Sequence, residues 1–304
     1  MDRLCTRLFP IPADQRSAAQ SWIEHGERSP LEARPASSVV LLRDSAIGTE
    51  TFLTCRRGQS PLGVIGFPGG SIEESDDDEL PWYGPTPSAW AKMLGIDDHQ
   101  LARRHVLCAI RELFEETGVL LAGPDPSSLV EGTQAKEWMK AREALNEGEC
   151  TFADILRRRG LGVRTDLIKP LSHWLTPDFA HRRFDTHYFA AAQPVNQEPS
   201  ILESKGIWGQ WRWAAREIDD RDTTALGDAV AEPNTIGRTL SDLAVPAVEI
   251  ILEKIGSSRG CIAYLSHKRP VKVYHPELAE QDGMLMLQVE CPKLTEGGSA
   301  QRGR

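Results

Sequence analysis

The 304-residue chain is short of several things, and each absence narrows its possible roles. Its six cysteines stand far apart, at 5, 55, 108, 150, 261 and 291, with no C-x-x-C pair. That speaks against a zinc ribbon or a redox dithiol and fits reduced, structural thiols. No run of about 18 apolar residues is present to span a bilayer. The first 30 residues contain Asp2, Asp14, Glu24 and Glu27, where a secretory signal needs an unbroken apolar region. Basic charge is also short. A net charge of −9 argues against nucleic acid or an anionic membrane as partner, because phosphate-rich surfaces demand a basic footprint. A small phosphorylated ligand stays open, since a divalent cation inverts the local sign. The chain shows no internal repeat or low-complexity segment, and its final Q-R-G-R is not an S-K-L type address. A cytoplasm is the expected compartment.

What is present reads as a globular α/β protein, 40% hydrophobic and 26% charged. "SVVLLRD" and "TETFLTCRR" predict two β-branched strands around a turn at Gly48. A glycine turn follows in "GFPGGSIEESDDD", and then "PSAWAKMLGIDDHQLARRHVLCAIRELFEETG" carries helical periodicity to a stop at Gly118, with "VLL" as the next strand. Strands are expected again in "IKPLSHWLT", "FDTHYFAAAQP" and "GQWRWAAREI". An amphipathic helix, "IGRTLSDLAVPAVEIILEKIG", comes next, and a strand pair closes the chain within "VKVYHPELAEQDGMLMLQVECPK". The expected organisation is an N-terminal extension over 1–36, a main domain over 37–256 with helical insertions at about 77–104 and 131–160, and a C-terminal extension over 257–304 whose last ten residues are disordered.

Chemistry concentrates on one predicted helix. With Ile110 at zero on a wheel of about 100° per residue, Val106, Leu107, Leu113 and Phe114 fall within roughly 60° and form an apolar stripe. Glu112, Glu115 and Glu116 fall at roughly 140° to 240°, on the other side. Such glutamates are ordinarily a solvated face. Here three carboxylates at i, i+3 and i+4 repel one another, and a hard divalent cation would turn that cost into binding. Gly69 and Gly70 add a backbone that permits unusual φ values and close approach, so a carbonyl or N–H can reach the same ion. His105 falls near this acidic face as well, where a solvated neighbour is the expectation.

"R-E-L-F-E-E-T-G-V" at 111–119 matches R-E-U-x-E-E-x-G-U, the second half of the Nudix box, at every fixed position. The first half, G-x5-E, resembles Gly70 followed by Asp76, with aspartate in the glutamate's place. A short spacer ordinarily joins the halves; here 34 residues, 77 to 110, intervene. The interruption is similar to that in the coenzyme A diphosphatase branch of Nudix hydrolases. "LTCRRGQSPLGVIGFPGG" at 53–70 further resembles that branch's L-L-T-x-R-S-x3-R-x3-G-x3-F-P-G-G signature. It runs two residues short, and its second arginine has no counterpart, Pro61 being the nearest position.

The resemblance implies a Nudix-type α/β/α sandwich with a mixed sheet. It also implies metal-assisted hydrolysis of a nucleoside diphosphate linked to another moiety, with coenzyme A or acyl-coenzyme A giving 3′,5′-ADP and a phosphopantetheine product. Alternatives are a pyrophosphatase for ADP-ribose, a dinucleotide or an oxidised nucleotide, and an inactive nucleotide-sensing module. Glu112, Glu115, Glu116 and the Gly70 carbonyl would hold Mg²⁺ or Mn²⁺. Glu115, Glu116 and Arg111 carry the catalytic assignment, with Arg111 holding a glutamate in register. Arg56, Arg57, Phe67 and Gly69 would contact substrate, guanidinium groups being suited to phosphate oxygens. Glu198 and Glu203 are candidate bases on a downstream loop. Trp82, Tyr83, Trp90 and Trp138 either wall the site or pack the insertions; His181, Arg182 and Arg183 either meet phosphate or form a charged loop. A homodimer is the assembly to test.

Overall fold

A computed structural model describes residues 4–26, 29–58, 63–267 and 270–292. The last ten residues, and Pro61 of the signature segment, lie outside them. In chain order the strands are β1 Leu4–Pro10, β2 Ala33–Ser45, β3 Gly48–Arg56, β4 Ile65–Gly66, β5 Gly69–Ser71, β6 Trp82–Tyr83, β7 Ala122–Gly123, β8 Gly162–Arg164, β9 Ile168–Leu175, β10 Arg183–Ala192, β11 Gly206–Trp213, β12 Lys272–Tyr274, β13 Glu277–Gln281 and β14 Met284–Pro292. The helices used below are α1 Pro87–Leu94, α2 His99–Thr117, α3 Lys136–Asn146, α4 Phe152–Arg157 and α5 Pro246–Gly256.

The main sheet runs β11-β3-β2-β10-β9-β12, with β4 on β3 and β5 on β2. It is mixed: β10 runs parallel to β2 and β12 to β9, and the other pairs are antiparallel. Alternation along β2 gives the sheet two buried faces. Val40 and Leu42 join Leu53, Tyr188, Val248, Ile251 and Leu252 in one core, under α5. Val39 and Leu41 join Phe52, Phe189, Ile110, Leu113 and Phe114 in the other, under α2. Side chains two apart on a strand share a face, so this period-2 split produces the expected α/β/α sandwich.

The long helical pattern breaks in two. Gly95 ends α1 in a left-handed conformation, φ 71°, and Asp98 caps α2 by accepting from Gln100 N at 2.8 Å and Leu101 N at 3.3 Å. Pro246 at the first turn of α5 likewise separates that helix from Leu240–Leu243, where the sequence pattern predicts one continuous helix. "VLL" forms no strand. The buried Gln197 side chain substitutes for a neighbour, accepting from Leu120 N at 2.7 Å and donating to its carbonyl at 3.0 Å. The expected C-terminal strand pair is the β13–β14 hairpin, turning at Asp282 and Gly283, both with positive φ. β1 adds to β14, so residues 4–10 and the C-terminal hairpin share one small sheet. Helices α3 and α4 carry Trp138 and Phe152 onto Phe114, packing against α2 in the same core. No helix among the described residues is long and apolar enough to cross a membrane.

Candidate functional site

In the folded chain the glutamates of α2 are not a solvated face. Glu112, Glu115 and Glu116 are 5%, 4% and 8% exposed, and Arg111 is fully buried. Burying ions is costly unless each finds a partner. Arg111 supplies most of the partners. Its Nε and Nη2 donate to the two oxygens of Asp76 at 2.9 and 3.0 Å, its Nη1 to Glu112 at 2.7 Å and to Glu115 at 3.5 Å, and its Nη2 to the Ser71 carbonyl at 2.9 Å. Burial works against the guanidinium charge, and the carboxylates of Glu112 and Asp76 outweigh it, so the pKa rises. The residues that resemble the two halves of the box thus meet across 34 intervening residues through one buried, bidentate pair.

Asp76 sits in a 3-10 turn, Glu74–Asp77, where it also accepts from Glu73 N at 2.9 Å. Arg103 fastens the same turn from α2 by donating to the carbonyls of Asp76 and Asp78.

Gly69 and Gly70 lie in β5 against Ser38 and Ser37. Neither has positive φ, so close approach is what glycine supplies here. A Cβ on Gly69 would fall 2.5 Å from the Ser37 carbonyl, and one on Gly70 would collide with the Glu112 carboxylate. Gly69 N donates to Glu116 at 3.3 Å, and the Cys108 thiol donates to the Gly70 carbonyl at 3.5 Å. A cleft opens beside this strand, with Ser37, Arg56, Phe67, Gly69, Gly70 and Arg182 in its wall. The glutamates are not themselves in that wall; the two glycines line the cleft and touch the glutamates. Arg56 donates from Nη2 to the Phe67 carbonyl at 2.9 Å, while its buried Nη1 has no partner among the described residues. Phe67 contributes that carbonyl and a buried ring, 6.4 Å edge-on from Tyr188. Arg57 points elsewhere, donating to the Glu203 carbonyl at 2.7 Å.

Hard oxygen donors suit a divalent cation, and the electrostatics of this set fit one. Burial pushes the Glu116 carboxyl up to about 8; Arg56 opposes the shift and Glu112 adds to it. Burial likewise raises Glu112, against Arg111 and with Glu115. A further cation in the cluster would lower both.

Two residues that the sequence pattern did not single out complete the arrangement. Lys205, on the loop before β11, places Nζ 2.7 Å from Glu115 Oε1. Burial disfavours its charge, but the Glu115 hydrogen bond and the surrounding glutamates outweigh that and raise its pKa. Arg142 of α3 is fully buried and donates to the Glu115 carbonyl at 3.2 and 3.1 Å and to the Ser200 carbonyl at 2.9 Å, tying the end of α2 to the same loop. Of the loop glutamates, Glu203 is exposed on the stretch held by Arg57 and Lys205. Glu198 is also exposed, its carbonyl accepting from Gln134 of the second insertion.

His105 corrects one expectation: it is 2% exposed, because α2 presses it against the sheet, with Nδ1 3.1 Å from Ser37 Oγ. Trp90 and Trp138 are buried packing residues against Phe189 and Phe114; Trp82 and Tyr83 bond to the Pro85 and Pro124 carbonyls. Arg182 reaches the cleft, whereas Arg183 pairs with Asp178 at 2.6 Å.

The family model described as the NUDT19 Nudix domain matches residues 96–219. Residues 96–219 are thus similar to a Nudix domain. Among curated proteins, acyl-coenzyme A diphosphatase NUDT19 of Xenopus laevis is 28% identical over 185 residues, which are 48% of this chain and 47% of that protein. NUDT19 of Gallus gallus is 32% identical over 101 residues, 27% of this chain and 26% of that protein. The chain thus spans about half the length of the first relative and about a quarter of the second. A solved NUDIX hydrolase from Alicyclobacillus acidocaldarius superposes with a TM-score of 0.58 at 20% identity, over 79% of this chain and 98% of that one, a likeness of fold. The Nudix match begins downstream of Gly70 and Asp76, so the interrupted first half of the box rests on the geometry above.

Proposed function

We propose that this Nudix domain is a metal-dependent pyrophosphohydrolase that cleaves coenzyme A or acyl-coenzyme A to 3′,5′-ADP and (acyl-)4′-phosphopantetheine. The observation that carries the reading is the meeting of Gly69, Gly70, Asp76 and Arg111 with three buried carboxylates beside a cleft. Into that cleft Arg56 brings a guanidinium whose Nη1 has no partner among the described residues. Glu112, Glu115, Glu116 and the Gly70 carbonyl would hold Mg²⁺ or Mn²⁺. Once bound, the ion supplies Lewis acidity and neutralises diphosphate charge.

The chain's own groups do the rest. Arg111, fixed by Asp76, holds Glu112 and Glu115 in register as a positioning residue. Arg56 and the Gly69 backbone grip phosphate oxygens, and Arg182 at the cleft mouth suits the additional 3′-phosphate. Water adds to one phosphorus and the P–O–P bridge breaks. The proton would pass to a carboxylate, and this reading favours Glu203 over Glu198 because Lys205, two residues on, reaches Glu115. The names of the NUDT19 relatives support the substrate class.

Product analysis of the full chain with coenzyme A, ADP-ribose, NADH and an oxidised nucleotide, each with Mg²⁺ and with Mn²⁺, tests the reading. Release of 3′,5′-ADP from coenzyme A is expected. Preferential cleavage of ADP-ribose would move the assignment to another pyrophosphatase, and binding without turnover would make it a sensing module.

A further inference from the structure

A second cluster of metal-type ligands lies on the same face of the sheet, on β9 and β10. His187 of β10 stands directly opposite His173 of β9, and Asp185 lies two residues earlier on the same face of β10. Each of the three offers one ligand atom within 4.8 Å of the others. The His173 and His187 rings are nearly parallel, 16° apart with centroids at 4.1 Å, and His173 Nε2 already contacts the Asp185 carboxylate. The pairing register shifts between Tyr188 and Phe189, immediately after His187. Such bulges re-aim side chains.

Packing alone leaves this arrangement unexplained. His187 is 2% exposed, yet its Nδ1 has no hydrogen-bond partner among the described residues. A buried polar atom without a partner costs about 1–3 kcal/mol, so it calls for a ligand or a compensating role. Its other neighbour, the His105 ring at 4.5 Å, is turned toward Ser37. Burial, with the adjacent imidazoles, keeps His187 neutral, which is the state that coordinates a metal.

We infer that His173, His187 and Asp185 form a second metal site, selective for a borderline divalent transition ion such as Zn²⁺ or Co²⁺. Two imidazoles and a carboxylate suit such ions, whereas the all-oxygen set on α2 suits Mg²⁺ or Mn²⁺. Bond lengths of about 2.0–2.2 Å put tetrahedral ligand atoms about 3.3 Å apart, so small side-chain rotations would close the present spacing. The ion would clasp β9 to β10 and leave one coordination position for water. Its binding stabilises the folded chain by linkage, because unfolding separates the ligands.

The test uses the full chain stripped with chelator, carrying Glu115→Gln and Glu116→Gln to silence the oxygen site. Titration with Co²⁺, read by visible absorption, and with Zn²⁺, read by calorimetry and thermal melting, should show a single equivalent bound, the intense spectrum of a low-coordinate nitrogen-ligated ion, and a raised melting temperature. His173→Asn and Asp185→Asn should each abolish the spectrum and the thermal shift while keeping the fold. Both positions are partly exposed, so neither depends on tolerance at buried His187. Undiminished binding in His173→Asn, or no binding in the background protein, overturns the inference.

Discussion

The buried pair between Asp76 and Arg111 is where the interrupted box is physically rejoined, and Asp76→Ala severs it. The substitution removes two charge-assisted hydrogen bonds at 2.9 and 3.0 Å and the acceptor for Glu73 N. Each bond to a charged group is worth about 1.5–3 kcal/mol, and stripping one partner from a buried pair costs about 3–5 kcal/mol. Arg111 keeps Glu112 at 2.7 Å and the Ser71 carbonyl at 2.9 Å, which places the loss at the lower end, about 3 kcal/mol. Urea unfolding of metal-free wild type, Asp76→Ala, Arg111→Met and the double variant closes a thermodynamic cycle. The expected coupling is about 2 kcal/mol or more, since the two side chains bond directly. A coupling below about 0.5 kcal/mol, the level of ordinary additivity, would refute the reasoning. Calorimetry on Asp76→Ala should also show weaker Mn²⁺ binding, because Arg111 then has lost the contact that orients it toward Glu112 and Glu115.

Glu115→Gln and Glu116→Gln should each lower turnover by about a hundredfold with circular dichroism unchanged; a near-wild-type rate would remove the role assigned to that carboxylate. Lys205→Met should tighten Mn²⁺ binding by about tenfold, equivalent to about 1.4 kcal/mol, since a divalent ion no longer competes with a resident ammonium; isothermal titration would show the reverse if Lys205 helped hold the ion. Gly69→Ala should chiefly lower the melting temperature, its Cβ meeting the Ser37 and Ser38 backbone, whereas Gly70→Ala should chiefly weaken metal binding by displacing the Glu112 carboxylate. His105 has its pKa lowered to about 4 by burial, so its contribution to stability is present above about 6.5 and is lost as pH falls toward 4. The loss amounts to about 3 kcal/mol, and denaturant titrations of His105→Gln across that range should show a flatter pH dependence than wild type.

The acidic helix was legible because its information is local: R-E-L-F-E-E fixes three carboxylates within two turns, and helical geometry does the rest. The sandwich was legible for a similar reason, since the unbroken apolar run of residues 39–42 fits a strand buried on both faces. Helix boundaries were less so. The periodicity from 88 to 117 hides the stop at Gly95 and the cap at Asp98, because an apolar stripe can continue in register across a break. What escaped altogether depends on long-range placement. Lys205 is one residue in a polar loop, and nothing near it in sequence is acidic enough to predict a partner 90 positions away on another element. Arg142 sits in a charged insertion whose helical wheel does not say which arginine is swallowed; only the carbonyl end of α2, with its unsatisfied acceptors and negative dipole, explains why that one is. Lys205 and Arg142 do related work, the first meeting a carboxylate of the cluster and the second the backbone that carries it. A cluster of buried negative charge is folded before any metal arrives only if cations elsewhere in the chain are delivered to it. Local sequence specifies the anions, whereas the fold chooses which cations answer them.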